Sequence, residues 1–228
     1  MSKDYPVFFN DEMVRAILDG RKTQTRRVMK LSHERGMLNP VVRGRNGEIS
    51  SVSCRLAPTL CPFGQPGDRL WVRETWALLG NEDGCCVDWN DNLCKGDEKL
   101  AARIYRASCE RLPGDYGLWS IPDDAYWKPH TENQKFEGAW RPSIHMPRWA
   151  SRILLEITDV RVERLNSISE EDARAEGVVL PECCHAYYHG FSLLWQSIYG
   201  EESWEANQWV WVVEFKRVDT TSTKESAQ

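Results

Sequence analysis

The stretch Arg152-Ile-Leu-Leu-Glu-Ile-Thr-Asp-Val-Arg-Val-Glu-Arg-Leu165 changes face in its middle. Ile153, Leu155 and Ile157 alternate on one side of an extended chain, and Val160 and Val162 fall out of step with them. A strand keeps one parity, because successive side chains point to opposite faces. Two apolar sets of opposite parity therefore predict one long strand with an extra residue near Thr158-Asp159, a β-bulge. Bulged, strongly bent strands are what small closed barrels use. Together with the alternating stretches at 69–76 and 209–216 and the helical stretches between them, this stretch predicts an α+β fold, a barrel of about five or six strands with helices packed at its ends.

The chain that follows continues this pattern. Ser169-Glu-Glu-Asp172 is a capping box, so a helix starts there, runs through Ala173 and Ala175 and stops at Gly177. Glu176 falls in its last turn, where the helix dipole disfavours an anion. A residue that breaks a local rule points to function, or else is an exposed carboxylate at small cost. Phe191, Leu194, Trp195 and Ile198 form a helical stripe closed by Gly200. Trp209-Val-Trp-Val-Val-Glu-Phe215 is apolar on both faces and reads as a central strand. Residues 219–228 are rich in Ser, Thr and Lys and read as a disordered tail beyond one domain at 1–218.

Upstream, Gly67-Asp68 is a turn before the alternating stretch Arg69-Leu-Trp-Val-Arg-Glu-Thr-Trp76. One face carries Leu70, Val72, Glu74 and Trp76; the other carries Arg69, Trp71, Arg73 and Thr75. The second face can hold a base and its phosphate through stacking and charge, or can be a solvated face with snorkelling arginines. Residues 77–140 hold Asp, Asn, Gly, Cys and Pro with one strand expected at Arg103–Ala107, and read as a large, loop-rich insertion on the core. In Trp140–Arg148, Pro142 and Pro147 stiffen a loop that carries Arg141, Ser143, His145 and Arg148, a suitable binding edge.

Near the start, Asn10 can cap a helix with Asp11 and Glu12 in its first turn. Met13, Val14, Ile17 and Leu18 make its stripe and Gly20 ends it. Then comes Gly20-Arg-Lys-Thr-Gln-Thr-Arg-Arg27, with a strand expected over Thr25–Met29. Lys22 and Thr25 can be a base and its nucleophile. The same residues can be a basic turn that holds phosphate, or a solvated strand start. On a regular strand, Lys22 and Thr25 point to opposite faces, so a dyad needs an irregular backbone there. Residues 30–66 read as a long loop with one or two short strands.

The totals bound the partners. The chain has 228 residues and a net charge of −5, which argues against broad polyanion binding and leaves local basic patches. No run of apolar residues is long enough to span a membrane, and Met1–Pro6 lacks an apolar signal region, so a cytoplasmic protein is expected. The 8 cysteines lack paired zinc-site spacing, and neither disulfides, a metal nor a cofactor is expected. Cys183, Cys184, His185 and His189 are the grouping nearest to a metal site.

Four motifs in this order resemble the ASCH domain, a small β-barrel related to the PUA RNA-binding domains. They are the helix followed by Gly20-Arg-Lys-Thr-x-Thr-x-Arg27, then Gly67-Asp-x-Leu-x-Val72, then the bulged strand and capped helix with Ala173-x-x-Glu176, then Val212-x-Glu-Phe215. The resemblance covers roughly residues 8–29, 66–76, 150–178 and 190–217. Trp71–Trp76 and Pro142–Pro147 are similar to stretches in long ASCH proteins carried by phages, some labelled morphogenetic. The resemblance to bacterial N4-acetylcytidine amidohydrolases implies catalysis by Lys22, Thr25 and Glu176. In that reading Thr25 attacks the acyl group of an N4-acylated cytidine or a related modified nucleoside. Lys22 is the base, with its pKa depressed by Arg21, Arg26 and burial. Glu176 orients, or protonates the leaving amine. Backbone amides after Gly20 bind the oxyanion. Arg21, Arg26, Arg69, Trp71, Arg73, Glu74, Arg141, Ser143, His145 and Arg148 are the expected substrate-binding set. The alternatives are an ASCH module that binds an RNA nucleotide without catalysis, and a phage accessory protein.

Overall fold

The register between Leu154–Arg164 and Trp209–Val218 slips between Ile157 and Asp159, which is the expected bulge. The structure, a computed structural model, describes residues 2–29, 39–44, 46–79, 85–88, 90, 92–94, 98–109, 140–180 and 186–218. The residues expected to form a tail, 219–228, lie outside this set, as do most of 110–140. In chain order the elements are β1 (Asp4–Phe8), α1 (Asp11–Leu18), β2 (Gln24–Val28), β3 (Val41–Arg43), β4 (Ile49–Ser51), β5 (Arg69–Arg73), β6 (Trp76–Leu78), β7 (Arg103–Tyr105), α2 (Arg106–Cys109), β8 (Leu154–Arg164), α3 (Glu170–Ala175), α4 (Tyr187–Tyr199), α5 (Glu201–Glu205) and β9 (Trp209–Val218). The fold is α+β.

Five strands make one sheet in the order β1-β5-β8-β9-β2. β9 lies between β8 and β2, antiparallel to both, and Trp209–Val213 and Phe215 are buried. That position accounts for its apolar residues on both faces. The hairpin β3–β4 supplies the short strands expected within the long loop over residues 30–66, and the 3-10 turn Ala57–Leu60 follows it.

The chain divides into two compact units. The first is Met1–Tyr5, Ala16–Leu70 and Leu154–Gln228; the second is Pro6–Arg15 and Trp71–Ile153. In the first, Leu165, Ile168, Ala173, Phe191, Trp195, Val210 and Val212 pack α3 and α4 onto the sheet. In the second, Ala77, Leu79, Val87, Ala102 and Ile104 form one cluster, and Trp76, Met146 and Ala150 another.

Two strand expectations are corrected. The strand expected over 69–76 breaks after Arg73 and resumes at Trp76. Glu74 turns inward onto Arg152, and the Thr75 carbonyl accepts from the Arg106 amide at 3.1 Å. The strand expected over 103–107 stops at Tyr105 and becomes α2. Among the described residues, no helix is long and apolar enough to cross a membrane.

Candidate functional site

α1 ends where the site begins. Gly20 adopts φ 74°, a left-handed conformation that suits glycine at a helix end. The amides of Arg21 and Lys22 both donate to the Ala16 carbonyl, at 2.8 and 3.0 Å, and Thr23 donates to the Ala175 carbonyl at 2.8 Å. These amides are already bonded, so the expected oxyanion hole after Gly20 is not present.

Lys22 forms an antiparallel bridge with Glu176 just before β2. Its Nζ donates to Glu176 Oε2 and to the Glu176 carbonyl oxygen, each at 2.8 Å. Both residues are buried, at 2% and 5% exposure. Glu176 caps the C-terminus of α3, and the helix starts on the Ser169 hydroxyl, which accepts from the Asp172 amide at 3.1 Å. The anion at the unfavourable helix end is thus explained: Lys22 Nζ donates to both the carboxylate and the terminal carbonyl.

Strand parity builds the rest. Lys22, Gln24 and Arg26 share the face under α3. Gln24 Nε2 donates to the Asp172 carbonyl at 2.8 Å. Arg26 contacts Glu176 at 3.2 Å, Glu163 at 3.1 Å and Asp172 at 3.2 Å. Arg161 extends the network to Glu163 at 2.6 Å, to Asp172 at 2.9 Å and to Glu214. Asp172, Glu163 and Arg161 are absent from the site expected on sequence. A signal for them exists: Arg161 and Glu163 share a parity on β8, opposite to Val160 and Val162.

Burial is the main influence on Lys22 and pushes its pKa below the ordinary lysine value. Glu176 opposes that shift, and Arg27 and Arg26 reinforce it. Asp172 behaves differently. Burial pushes its carboxyl up, but Arg161 and Arg26 outweigh burial and hold it below the ordinary carboxylate value.

Thr25 stands apart from this cluster. It is buried, pairs with Val213 in the β2–β9 register, and points to the sheet face opposite Gln24 and Arg26. Among the described residues its hydroxyl makes no side-chain hydrogen bond. The backbone from Lys22 to Arg26 is extended, without the irregularity that a Lys22–Thr25 dyad requires. Arg21 is exposed and donates to the Gly177 carbonyl at 3.1 Å. Arg69 is exposed at the start of β5.

The remaining expected binding residues lie in the second unit. Glu74 is fully buried and takes Arg152 Nε and Nη2 at 2.9 Å each. Arg141 is held by Glu98 at 3.0 and 2.9 Å. Arg73 stacks on Trp71 and donates to the Ser143 carbonyl; Arg148 also lies over Trp71. His145 is exposed. Among the described residues, no group of three or more His, Cys, Asp or Glu is placed to hold a metal ion. Cys183, Cys184 and His185 lie outside the described residues.

The chain matches no family model, no curated protein and no solved structure.

Proposed function

We propose that this chain is a PUA-like protein of the ASCH type, a cytoplasmic amidohydrolase of N4-acylated cytidine or a related modified pyrimidine nucleoside. The sheet β1-β5-β8-β9-β2 with α1, α3 and α4 would be its barrel-related core. One observation carries the reading. A buried lysine of lowered proton affinity sits 2.8 Å from a carboxylate, at the two positions where the motifs place catalytic groups. Desolvated lysines are the ones that serve as general bases at neutral pH.

The chemistry balances as a hydrolysis. Neutral Lys22 takes a proton from the nucleophile as that oxygen bonds to the acyl carbon. The C–N4 bond then breaks, and the Lys22 ammonium returns the proton to the departing amino group. When the nucleophile is the Thr25 hydroxyl, water then attacks the resulting acyl ester, restores the hydroxyl and releases a carboxylic acid; when it is water, the acid is released as the C–N4 bond breaks. Glu176 holds the Lys22 amine in position. With Thr25 on the other face in this state, its part is tested separately. A Thr25→Ala protein that still hydrolyses assigns the attack to water.

A second reading is favoured by one specific observation. The parity of β2 separates Thr25 from Lys22, which suits a module that binds an RNA nucleotide and breaks no bond. One substitution separates the readings. Guanidinium stays protonated, so Lys22→Arg cannot act as a base but keeps the charge. Release of cytidine from N4-acetylcytidine is followed chromatographically. The enzyme reading expects turnover by the parent and a loss of about a hundredfold or more in a folded Lys22→Arg protein. A parent that releases no cytidine overturns it.

A further inference from the structure

We propose that Cys86 and Cys94 form a redox-active dithiol in the second unit, a site at which small disulfides of the glutathione class convert two thiols into a reversible cross-strand disulfide. Lys22, Thr25 and Glu176 belong to the first unit, and nothing in this chemistry depends on the hydrolysis proposed there. Both cysteines are thiols in this structure, and both are half-buried.

The register sets the two residues face to face. Val87 and Leu93 form an antiparallel bridge. On one side of it the Asp88 amide donates to the Asn92 carbonyl at 3.0 Å, and on the other the Cys94 amide donates to the Cys86 carbonyl at 2.9 Å. Cys86 is therefore directly opposite Cys94, and the side chains of opposed residues leave the same face of a ladder. At a hydrogen-bonded pair the Cα atoms lie about 5.5 Å apart. A disulfide spans roughly 4.4–6.8 Å. Cys85 is one residue out of step, so alternation turns its side chain to the other face.

The backbone is held in place before any bond forms. Asp88 Oδ1 accepts from the Asn90 amide at 2.8 Å and the Asn92 amide at 2.9 Å, and Asn92 Nδ2 donates to Asp88 Oδ2 at 3.1 Å. Val87 is 2% exposed; its amide donates to the Leu79 carbonyl at 3.0 Å and its carbonyl accepts from the Ala102 amide at 2.9 Å. Closing the bond therefore fixes little that was free. Burial, and next Glu98, raise the Cys86 thiol above its ordinary pKa, against the pull of Arg141. Such a thiol reacts slowly by itself. What favours it is a neighbour that completes the exchange within the same molecule.

The exchange balances. One thiolate of the pair attacks a sulfur of the small disulfide and expels a small thiol. The second thiolate attacks the protein sulfur of the mixed disulfide and expels the other small thiol. Each cysteine gives up one proton, the pair gives up two electrons, and the reagent takes them up as two thiols. The Cβ atoms of opposed residues lie about 4.5–5.5 Å apart, and a disulfide prefers about 3.8 Å. The bond must draw the two strands together, so small thiols reopen it readily. Disulfides of this reversible kind are the ones that suit a reducing compartment.

The test uses the full chain, reduced, exposed to oxidised glutathione, blocked with N-ethylmaleimide and mapped by mass spectrometry. The parent should yield a peptide linked through Cys86 and Cys94 that dithiothreitol reopens. Half conversion should need at least about tenfold less oxidised glutathione than half modification of Cys85, because the closing step is intramolecular. Cys94→Ser should lose the link, and Cys85→Ser should keep it. Circular dichroism confirms that each variant is folded. The assignment is overturned if Cys86 and Cys94 of the oxidised parent both take maleimide, if one carries glutathione while the other stays a thiol, or if Cys85 rather than Cys94 is the partner of Cys86.

Discussion

Lys22 Nζ lies 2.8 Å from the carboxylate of Glu176 and 2.8 Å from the carbonyl of the same residue. One side chain therefore compensates the charge and the open backbone at the end of α3. Lys22→Met removes that contact and leaves a buried carboxylate with Arg26 at 3.2 Å. Breaking one side of a buried pair costs about 3–5 kcal/mol, so chemical denaturation should show a loss of that order. Adding Glu176→Gln should recover part of it. Strictly additive losses in the double-mutant cycle would show that the two residues are not coupled.

Asp172 predicts the acid limb of stability. Its folded pKa lies below the ordinary 3.8, because Arg161 and Arg26 overcome the effect of burial. The unfolded chain therefore binds a proton first as pH falls. The stabilisation is complete above that ordinary value and disappears as pH drops through the folded one. Asp172→Asn should be less stable at pH 7 and should lose less further stability on acidification. Urea midpoints measured between neutral and strongly acid pH check this; parallel curves for parent and variant would refute it.

Two glycines separate backbone strain from contact. Gly177 adopts φ 81°, and an added methyl would lie 2.8 Å from Lys22 Cβ and 2.9 Å from Ala16 Cβ. Gly20 adopts φ 74° with nothing within 4 Å of the added carbon. Gly20→Ala should cost about 1 kcal/mol through its backbone conformation alone. Gly177→Ala should cost clearly more, because the added carbon also displaces Lys22. Equal thermal shifts in the two variants would contradict the close approach.

Cys61 should be the slow thiol. Burial pushes its pKa from 9.0 up to about 11, against the opposing amides of Phe63 and Gly64. The thiolate is the reactive form, so at pH 8 iodoacetamide should label exposed Cys85 well before Cys61. The same shift makes its stabilising contribution complete below pH 9.0 and lost as pH rises through about 11. Peptide mapping after timed alkylation gives the order, and equal rates would mean that Cys61 is not enclosed.

Local chemistry is readable from the chain. Asn10 accepts from the Met13 amide at 2.8 Å, Ser169 from Asp172 at 3.1 Å, and the bulge lies where the parity of the apolar residues changes. Each of these signals depends on residues within about one turn or one strand. The faces of 69–76 are also legible: Leu70, Val72, Glu74 and Trp76 are all buried. What ends that strand is not, because Glu74 answers to Arg152 and Thr75 to Arg106, far along the chain. The same limit applies at the site. Arg26 stands out in the sequence for its charge, yet its partners Glu163, Asp172 and Glu176 come from β8, α3 and the end of α3. Ion pairs of this kind depend on which strands become neighbours, and no periodicity encodes that.

β9 has a consequence for synthesis on the ribosome. It is made last among the described strands, yet it lies between β8 and β2, with Arg26 beside Val212. Until Trp209–Val218 emerges, β2 has no partner on that side, and Gln24, Thr25 and Arg26 keep polar backbone groups facing water. Contacts between such distant parts of a chain form slowly and only once both ends exist. The sheet is therefore completed after translation has passed residue 218, and nascent chains stalled before that point expose β2 and the apolar face of β8 to chaperones.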